Sequence, residues 1–269
     1  MPRSIWKGAV SFGLVSIPVK LYGATEDRDV SFRQVHSSDG GRIRYQRVCE
    51  KCGEVVQFAD IAKGYEASDG RMAILTDEDF SNLPLTTLKS VDVVQFVDEH
   101  EVDPTFFQRT YFLEAEAAGQ KPYVLLREAL AKEKKVAVVK VALRSRESLA
   151  LIRAKDDLLL MHTMYWPDEL RDGEFAAPSD EIKISDAEIE MAKLLIDQLE
   201  GTFDPEAYTD SYREALLEVV EAKLAGVDMP EHDDRSAPTG DVVDLMSALK
   251  ASVEAAKKRR EEASASKAG

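Results

Sequence analysis

The stretch from Val136 to Met164 constrains this chain most. Three apolar-rich runs, Val136–Arg144, Ser148–Lys155 and Leu158–Met164, are separated only by Ser145-Arg146-Glu147 and Asp156-Asp157. Connections this short join antiparallel neighbours, because a parallel pair needs a crossover of about a dozen residues or more. The stretch is therefore a β-meander. Upstream, Val30–His36, Arg42–Val48, Glu54–Phe58, Arg71–Leu75, Val91–Val97 and Thr105–Leu113 are short, rich in β-branched and aromatic residues, and bounded by Gly, Asp, Asn or Pro. Many short strands with close turns point to a barrel or a sandwich. Two helical insertions interrupt them. Thr76 ahead of Asp77-Glu78-Asp79 reads as a capped start, and Pro122 opens a helix carrying Tyr123, Leu126 and Leu130.

From Ser185 the period changes. Ser185-Asp186-Ala187-Glu188 is a capping box, and Ile189, Ala192, Leu195, Ile196 and Leu199 then share one helical face before Gly201. Asp204-Pro205 begins a second helix, with Tyr208, Tyr212, Leu216, Val219, Val220 and Leu224 ahead of Gly226. A polar stretch with two prolines follows, read as a flexible linker over residues 227–240. Beyond it Asp241 can cap a short helix with Val242, Leu245, Met246, Leu249 and Val253 on one side. The end is Lys257-Lys258-Arg259-Arg260-Glu261-Glu262, then a Ser/Ala/Lys tail that reads as disordered. The fold class expected is mixed α+β, mainly β, with a core over residues 1–226 and a tail over residues 241–269.

A net charge of −15 argues at first against nucleic acid, because phosphate neutralisation needs cations. The charge is unevenly spread, however. Residues 168–234 hold 21 acids and 5 bases, leaving 29 acids against 30 bases elsewhere. Within that remainder, Lys121 to Lys155 holds 10 bases and 3 acids. A protein that meets DNA on one face and repels it elsewhere has this pattern, and so does a neutral domain with an acidic helical arm. No stretch reaches the roughly 18 apolar residues of a membrane span, and no signal-peptide core follows the N-terminus, so a cytoplasmic, nucleoid-associated protein is expected.

The basic run resolves into two parts. Lys132, Lys134 and Lys135 end a helix, where cations also suit the macrodipole. Lys140 and Arg144 fall on one face of a strand, with Val139, Val141 and Leu143 on the other. Arg153 and Lys155 share a face of the next strand, joined to the first through Arg144-Ser145-Arg146. A hairpin with one apolar face and one cationic row suits a phosphate backbone, and it equally suits a solvated sheet face. No aromatic residue is interleaved, so single-strand stacking is not indicated.

Other chemistry is sparse. The sequence holds no Gly-x-x-x-x-Gly-Lys-Ser/Thr loop, no Gly-x-Ser-x-Gly elbow and no His-Glu-x-x-His pair, and its four histidines show no ligand spacing. An enzyme is not expected. Cys49-Glu50-Lys51-Cys52-Gly53 has the shape of a zinc knuckle, but a closed zinc site takes four ligands and no second Cys pair exists. His36 or a symmetric partner could add donors. A reduced pair in a turn and a redox pair are the alternatives. The segment 241–253 is too short to hold as an isolated helix, and a tethered amphipathic helix is a common form of peptide that docks in a partner's groove. Folding back on its own chain is the other reading.

Several stretches resemble bacterial Ku, the end-binding factor of non-homologous end joining. They are the opening Ile5-Trp6-Lys7-Gly8-Ala9-Val10-Ser11-Phe12-Gly13-Leu14-Val15-Ser16-Ile17-Pro18-Val19-Lys20, then Arg44–Gly53 followed by Lys63-Gly64-Tyr65-Glu66, then Tyr123–Leu130, His162–Arg171 and Tyr208–Leu217. The resemblance implies a β-barrel centre, extended dimerisation arms and C-terminal helices that interlock two subunits into a homodimeric ring around duplex DNA. It also implies a ring core without the large flanking domains of eukaryotic relatives. Asp241–Val253 is similar to the family's C-terminal element that contacts the ATP-dependent end-joining ligase, LigD, and its apolar stripe would be the contact. An acidic interaction scaffold that does not bind DNA is the rival reading.

Overall fold

The computed structural model describes residues 2–83, 89–143, 146–179, 181–227 and 245–267. The chain divides into two compact units, residues 1–28 with 32–172, and residues 29–31 with 173–269.

The first unit is built on a closed seven-stranded barrel. Its strands are β1 (Trp6–Phe12), β2 (Val15–Gly23), β5 (Ser90–Asp98), β6 (Phe107–Ala115), β7 (Lys135–Leu143), β8 (Arg146–Lys155) and β9 (Leu158–Met164). Around the barrel they run β1-β2-β6-β9-β8-β7-β5. Every pairing is antiparallel except the closure of β5 on β1, which is parallel with Val10 opposite Val91. Gly8 sits beside that closure, where a Cβ would lie 2.3 Å from the Lys89 carbonyl oxygen, so only glycine lets the chains meet there. Alternation along the strands sends Val10, Ile17, Val19, Leu21, Val91, Leu113, Val139, Val141, Ile152 and Met161 into a fully buried interior. Each contributes roughly 1.5–3 kcal/mol by leaving water.

Helix α2 (Gln120–Glu133) adds Tyr123, Leu126 and Leu130 to this core. The Tyr123 hydroxyl donates to the Leu113 carbonyl at 2.8 Å and accepts from the Leu159 N–H at 2.7 Å, locking the helix onto the β6–β9 pair. The meander read from sequence is present as β7, β8 and β9. A smaller cluster of Val136, Leu151 and Met164, backed by Phe106, Phe107 and Leu149, packs outside the main core.

Between β2 and β5 the chain makes an arm. Here the sequence expectation needs correction. Val30–His36, Arg42–Val48 and Glu54–Phe58 are not strands; they meet only through the isolated bridges Val35–Arg42 and Val48–Val55. Their apolar side chains (Phe32, Val35, Ile43, Tyr45, Val48) are exposed, so no buried face holds the β-branched residues in a ladder. Among the described residues, regular pairing on the arm is confined to the hairpin of β3 (Lys63–Glu66) and β4 (Met72–Leu75), followed by α1 (Asp77–Ser81) with its Thr76–Asp79 capping box. The N-terminal hairpin β1–β2, which the periodicity reading did not assign as strands, is central to the barrel instead.

The second unit is helical. Its helices are α3 (Asp186–Leu199), capped by the Ser185–Glu188 box, α4 (Ser211–Ala225), ended by Gly226 in the left-handed conformation, and α5 (Leu245–Lys267). Asp204-Pro205 opens only a single 3-10 turn, and α4 starts later, at the Asp210 cap. The tail also differs from expectation: α5 runs 23 residues, through the basic run and into the Ser/Ala/Lys tail that composition reads as disordered.

Candidate nucleic-acid interface

The β7–β8 hairpin carries Lys140 as the alternation requires, pointing away from the buried Val139 and Val141. Its face is not a bare cationic row. Val136 and Leu151 share the outer surface, and the cations there are paired. Lys140 Nζ lies 3.8 Å from Glu147 and over the Trp166 ring, and Arg146 meets Glu169 at 3.1 Å. Arg153 holds Glu99 at 2.7 Å, and Lys135 holds Asp98 at 2.8 Å. That last hydrogen bond raises the Lys135 ammonium and lowers the Asp98 carboxyl from their ordinary values. Lys132, Lys134 and Lys155 are exposed. Lys134 is the left-handed cap of α2, its N–H bonding the Leu130 carbonyl. Arg144 lies outside the described residues.

Behind the hairpin, His162 faces Thr110 Oγ1 at 3.0 Å, while its Nε2 and the Arg153 Nε are buried without hydrogen-bond partners. Burial first, and the neighbouring guanidinium second, lower the His162 imidazole from its ordinary value. It belongs to the packing of the barrel wall.

The arm presents a different cation set. Arg33, Arg42 and Arg44 are exposed and have no ion-pair partner among the described residues. The Ile43 N–H donates to the Gln34 carbonyl at 3.0 Å, holding the two segments together. Arg47 stacks over the Phe58 ring. Reading by net charge passed over this set, because Glu50, Glu54, Asp60, Glu66 and Asp69 nearly cancel it along the sequence. The Arg-x-Arg alternation after Gly40-Gly41 was the signal available.

Cys49 and Cys52 lie on a tight turn in which Gly53, at φ +73°, donates its N–H to the Cys49 carbonyl. The Cys52 N–H, then the Lys51 N–H and the Cys52 thiol, lower the Cys49 thiol from its ordinary value. Both are free thiols. Zinc takes four donors, and among the described residues no third ligand joins this pair, so one copy of the chain does not furnish a closed site. His36 is turned to Ser38 and Asp39 instead.

The helical unit leaves much apolar surface open. Phe175, Ile182, Ile184, Ile196, Leu199, Phe203, Tyr208, Tyr212 and Leu224 are all exposed, well beyond the scattered apolar residues of an ordinary surface. Of the stripe expected on the tail helix, Val253 is buried and Met246 and Leu249 are half-buried, against α3. Val242 lies outside the described residues, and only the backbone of Leu245 is described. Among the described residues no helix is long and apolar enough to cross a membrane.

Comparison with known proteins gives this architecture relatives. A family model described as Ku, the Ku70/Ku80 beta-barrel domain, matches residues 11–191. The "Non-homologous end joining protein Ku" of Frankia casuarinae is 50% identical over 259 residues, 96% of this chain and 65% of that protein's length. "Non-homologous end joining protein Ku 2" of Saccharopolyspora erythraea is 47% identical over 96% of this chain and 85% of its own length. The Mycobacterium tuberculosis protein of the first name is 43% identical over 95% of this chain and 96% of its own length.

Proposed function

The chain belongs to the Ku family, and from that premise we propose that it binds double-stranded DNA ends, without regard to sequence, in non-homologous end joining. The observation that carries this reading is the extent of the match. Relatives named for end joining align with the barrel, the arm and the helices together, at 43–50% identity. Two copies form a ring, and duplex passes through it. The open apolar surface of the helical unit supports the dimer, since an isolated chain would expose it to water. The cations proposed to meet phosphate are those of the basic run, Lys132, Lys134, Lys135, Lys140, Arg144, Arg146, Arg153 and Lys155, joined by Arg33, Arg42 and Arg44 of the arm. Lys132, Lys134, Lys155 and the three arm arginines have a stronger physical case than Lys135, Lys140, Arg146 and Arg153, because among the described residues no carboxylate must first release them. The stripe Val242, Leu245, Met246, Leu249 and Val253 recruits the ligase LigD. We assign the chain no catalytic step and no cofactor.

The test compares a linear duplex with a covalently closed circle of the same sequence. A threaded ring loads on the linear form and is retained little by the circle. With some six to ten phosphates engaged, affinity falls about 10³- to 10⁵-fold between 50 and 200 mM salt. Arg42→Glu with Arg44→Glu weakens binding to all sequences alike, since backbone contacts position without specifying. Equal retention on circle and line rules out threading. No binding to either leaves the acidic scaffold as the function.

A further inference from the structure

The ligase-recruiting stripe is already occupied. On α5, Met246, Leu249, Val253 and Ala256 repeat with spacings of three and four, the pattern of a coiled-coil seam. Val253 and Ala256 are both 8% exposed, the only buried side chains among the described residues of the helical unit. The element that covers them is α3, which packs extensively against α5. On α3 the half-buried residues are Glu188, Met191, Ala192, Leu195 and Gln198, the same three-four spacing, while Ile189 and Ile196 at the edge of that face and Leu199 at the helix end stay open. Charge favours the pairing as well. Helix α3 holds Asp186, Glu188, Glu190 and Asp197 against Lys193, whereas α5 carries Lys250, the run Lys257 to Arg260 and Lys267 against Glu254, Glu261 and Glu262. An acidic helix and a basic helix attract, and the pairing buries an apolar seam that neither could cover alone.

We propose that α3 is an intramolecular latch that holds α5 in cis, so that the stripe reaches the ligase only after the α3–α5 seam opens. The inference rests on the recruitment reading above. One seam cannot serve two partners at once, so α3 and the ligase compete for Met246, Leu249 and Val253. The apparent affinity for the ligase is then the intrinsic affinity reduced by the fraction of chains with α5 released.

The test uses the full chain. Met191→Ala with Leu195→Ala thins the α3 side of the seam and leaves every α5 residue in place. The latch predicts that this variant binds purified ligase about tenfold more tightly than the unaltered chain, as the released fraction grows. A gain of this kind cannot come from misfolding. In the unaltered chain without ligase, the amides of residues 249–256 exchange with solvent slowly, and in the variant they exchange fast. Two results overturn the latch: fast exchange of those amides in the unaltered chain, or ligase affinity that is unchanged or weaker in a variant whose α5 amides have become fast. Truncation after Gly240 separates the two ideas. If the truncated chain still stimulates the ligase, recruitment by α5 is wrong, and hydrogen exchange alone then decides whether α3 holds it.

Discussion

The two units of this chain solve the problem of apolar surface in opposite ways. In the barrel the alternating strands turn their Val, Leu, Ile and Met inward, and those side chains are fully buried within one copy. In the helical unit only Val253 and Ala256 are buried among the described residues, while Leu224 is 83% exposed and Tyr212 76%. Both helices carry local end signals, with a capping box at Ser185 for α3 and a left-handed glycine at Gly226 for α4. Local signals alone therefore specify these helices without giving them a core. A barrel closes on itself; a pair of amphipathic helices needs something to close on. The difference separates a part that buries its own apolar surface from a part that leaves it open.

The largest effect should appear in the helices. Ile196→Glu with Leu224→Glu places charge on two exposed apolar sites, each worth about 1.5–3 kcal/mol when buried. If a second copy covers them, the dimer dissociation constant rises roughly a hundredfold or more, while the barrel melts as before. Sedimentation that shows no change would break the comparison, because these residues would then be ordinary surface. The barrel should respond differently. Ile152→Ala removes buried methylenes from a closed core and costs about 2–5 kcal/mol, by an amount independent of protein concentration. A cost that vanishes on raising the concentration would mean that the barrel, too, depends on a partner.

The smallest effect sharpens the contrast within the barrel wall. His162 is lowered below its ordinary value near 6.5 by burial and by Arg153. The unfolded chain therefore takes up the proton more readily than the folded one. Stability is complete above that ordinary value and declines as pH falls below it. Thermal melts from about pH 8 to about pH 5.5 should show a small decline that His162→Gln removes. A flat profile in the unaltered chain contradicts the burial of a neutral imidazole.

Much of this was legible in the sequence, and what was not has physical causes. The β7–β9 meander and the Ser185 capping box follow from turn length and from one reciprocal hydrogen-bond pattern, both local. Strand propensity failed on the arm, where Phe32, Ile43 and Tyr45 look like strand residues but have no buried face to occupy. The β1–β2 hairpin was hidden because Gly8 and Pro18 weaken its propensity, and only the packing of Gly8 against Lys89 shows why glycine stands there. Among the cations, Lys140 was placed on the outer face by alternation alone. That it would share that face with Glu147 and Trp166 depends on contacts that spacing does not encode. Helix α5 was cut short because the Ser/Ala/Lys composition at its end carries no apolar period to mark a helix.

The central claim is that one copy of this chain is incomplete, and that two copies form the unit that receives a DNA end. The most direct measurement is the mass of the full chain in solution by light scattering, alone and on a short blunt duplex. The account predicts twice the mass of a single chain across the micromolar range, and two chains per duplex when the duplex is saturated. A single-chain mass at concentrations that saturate the DNA would contradict it.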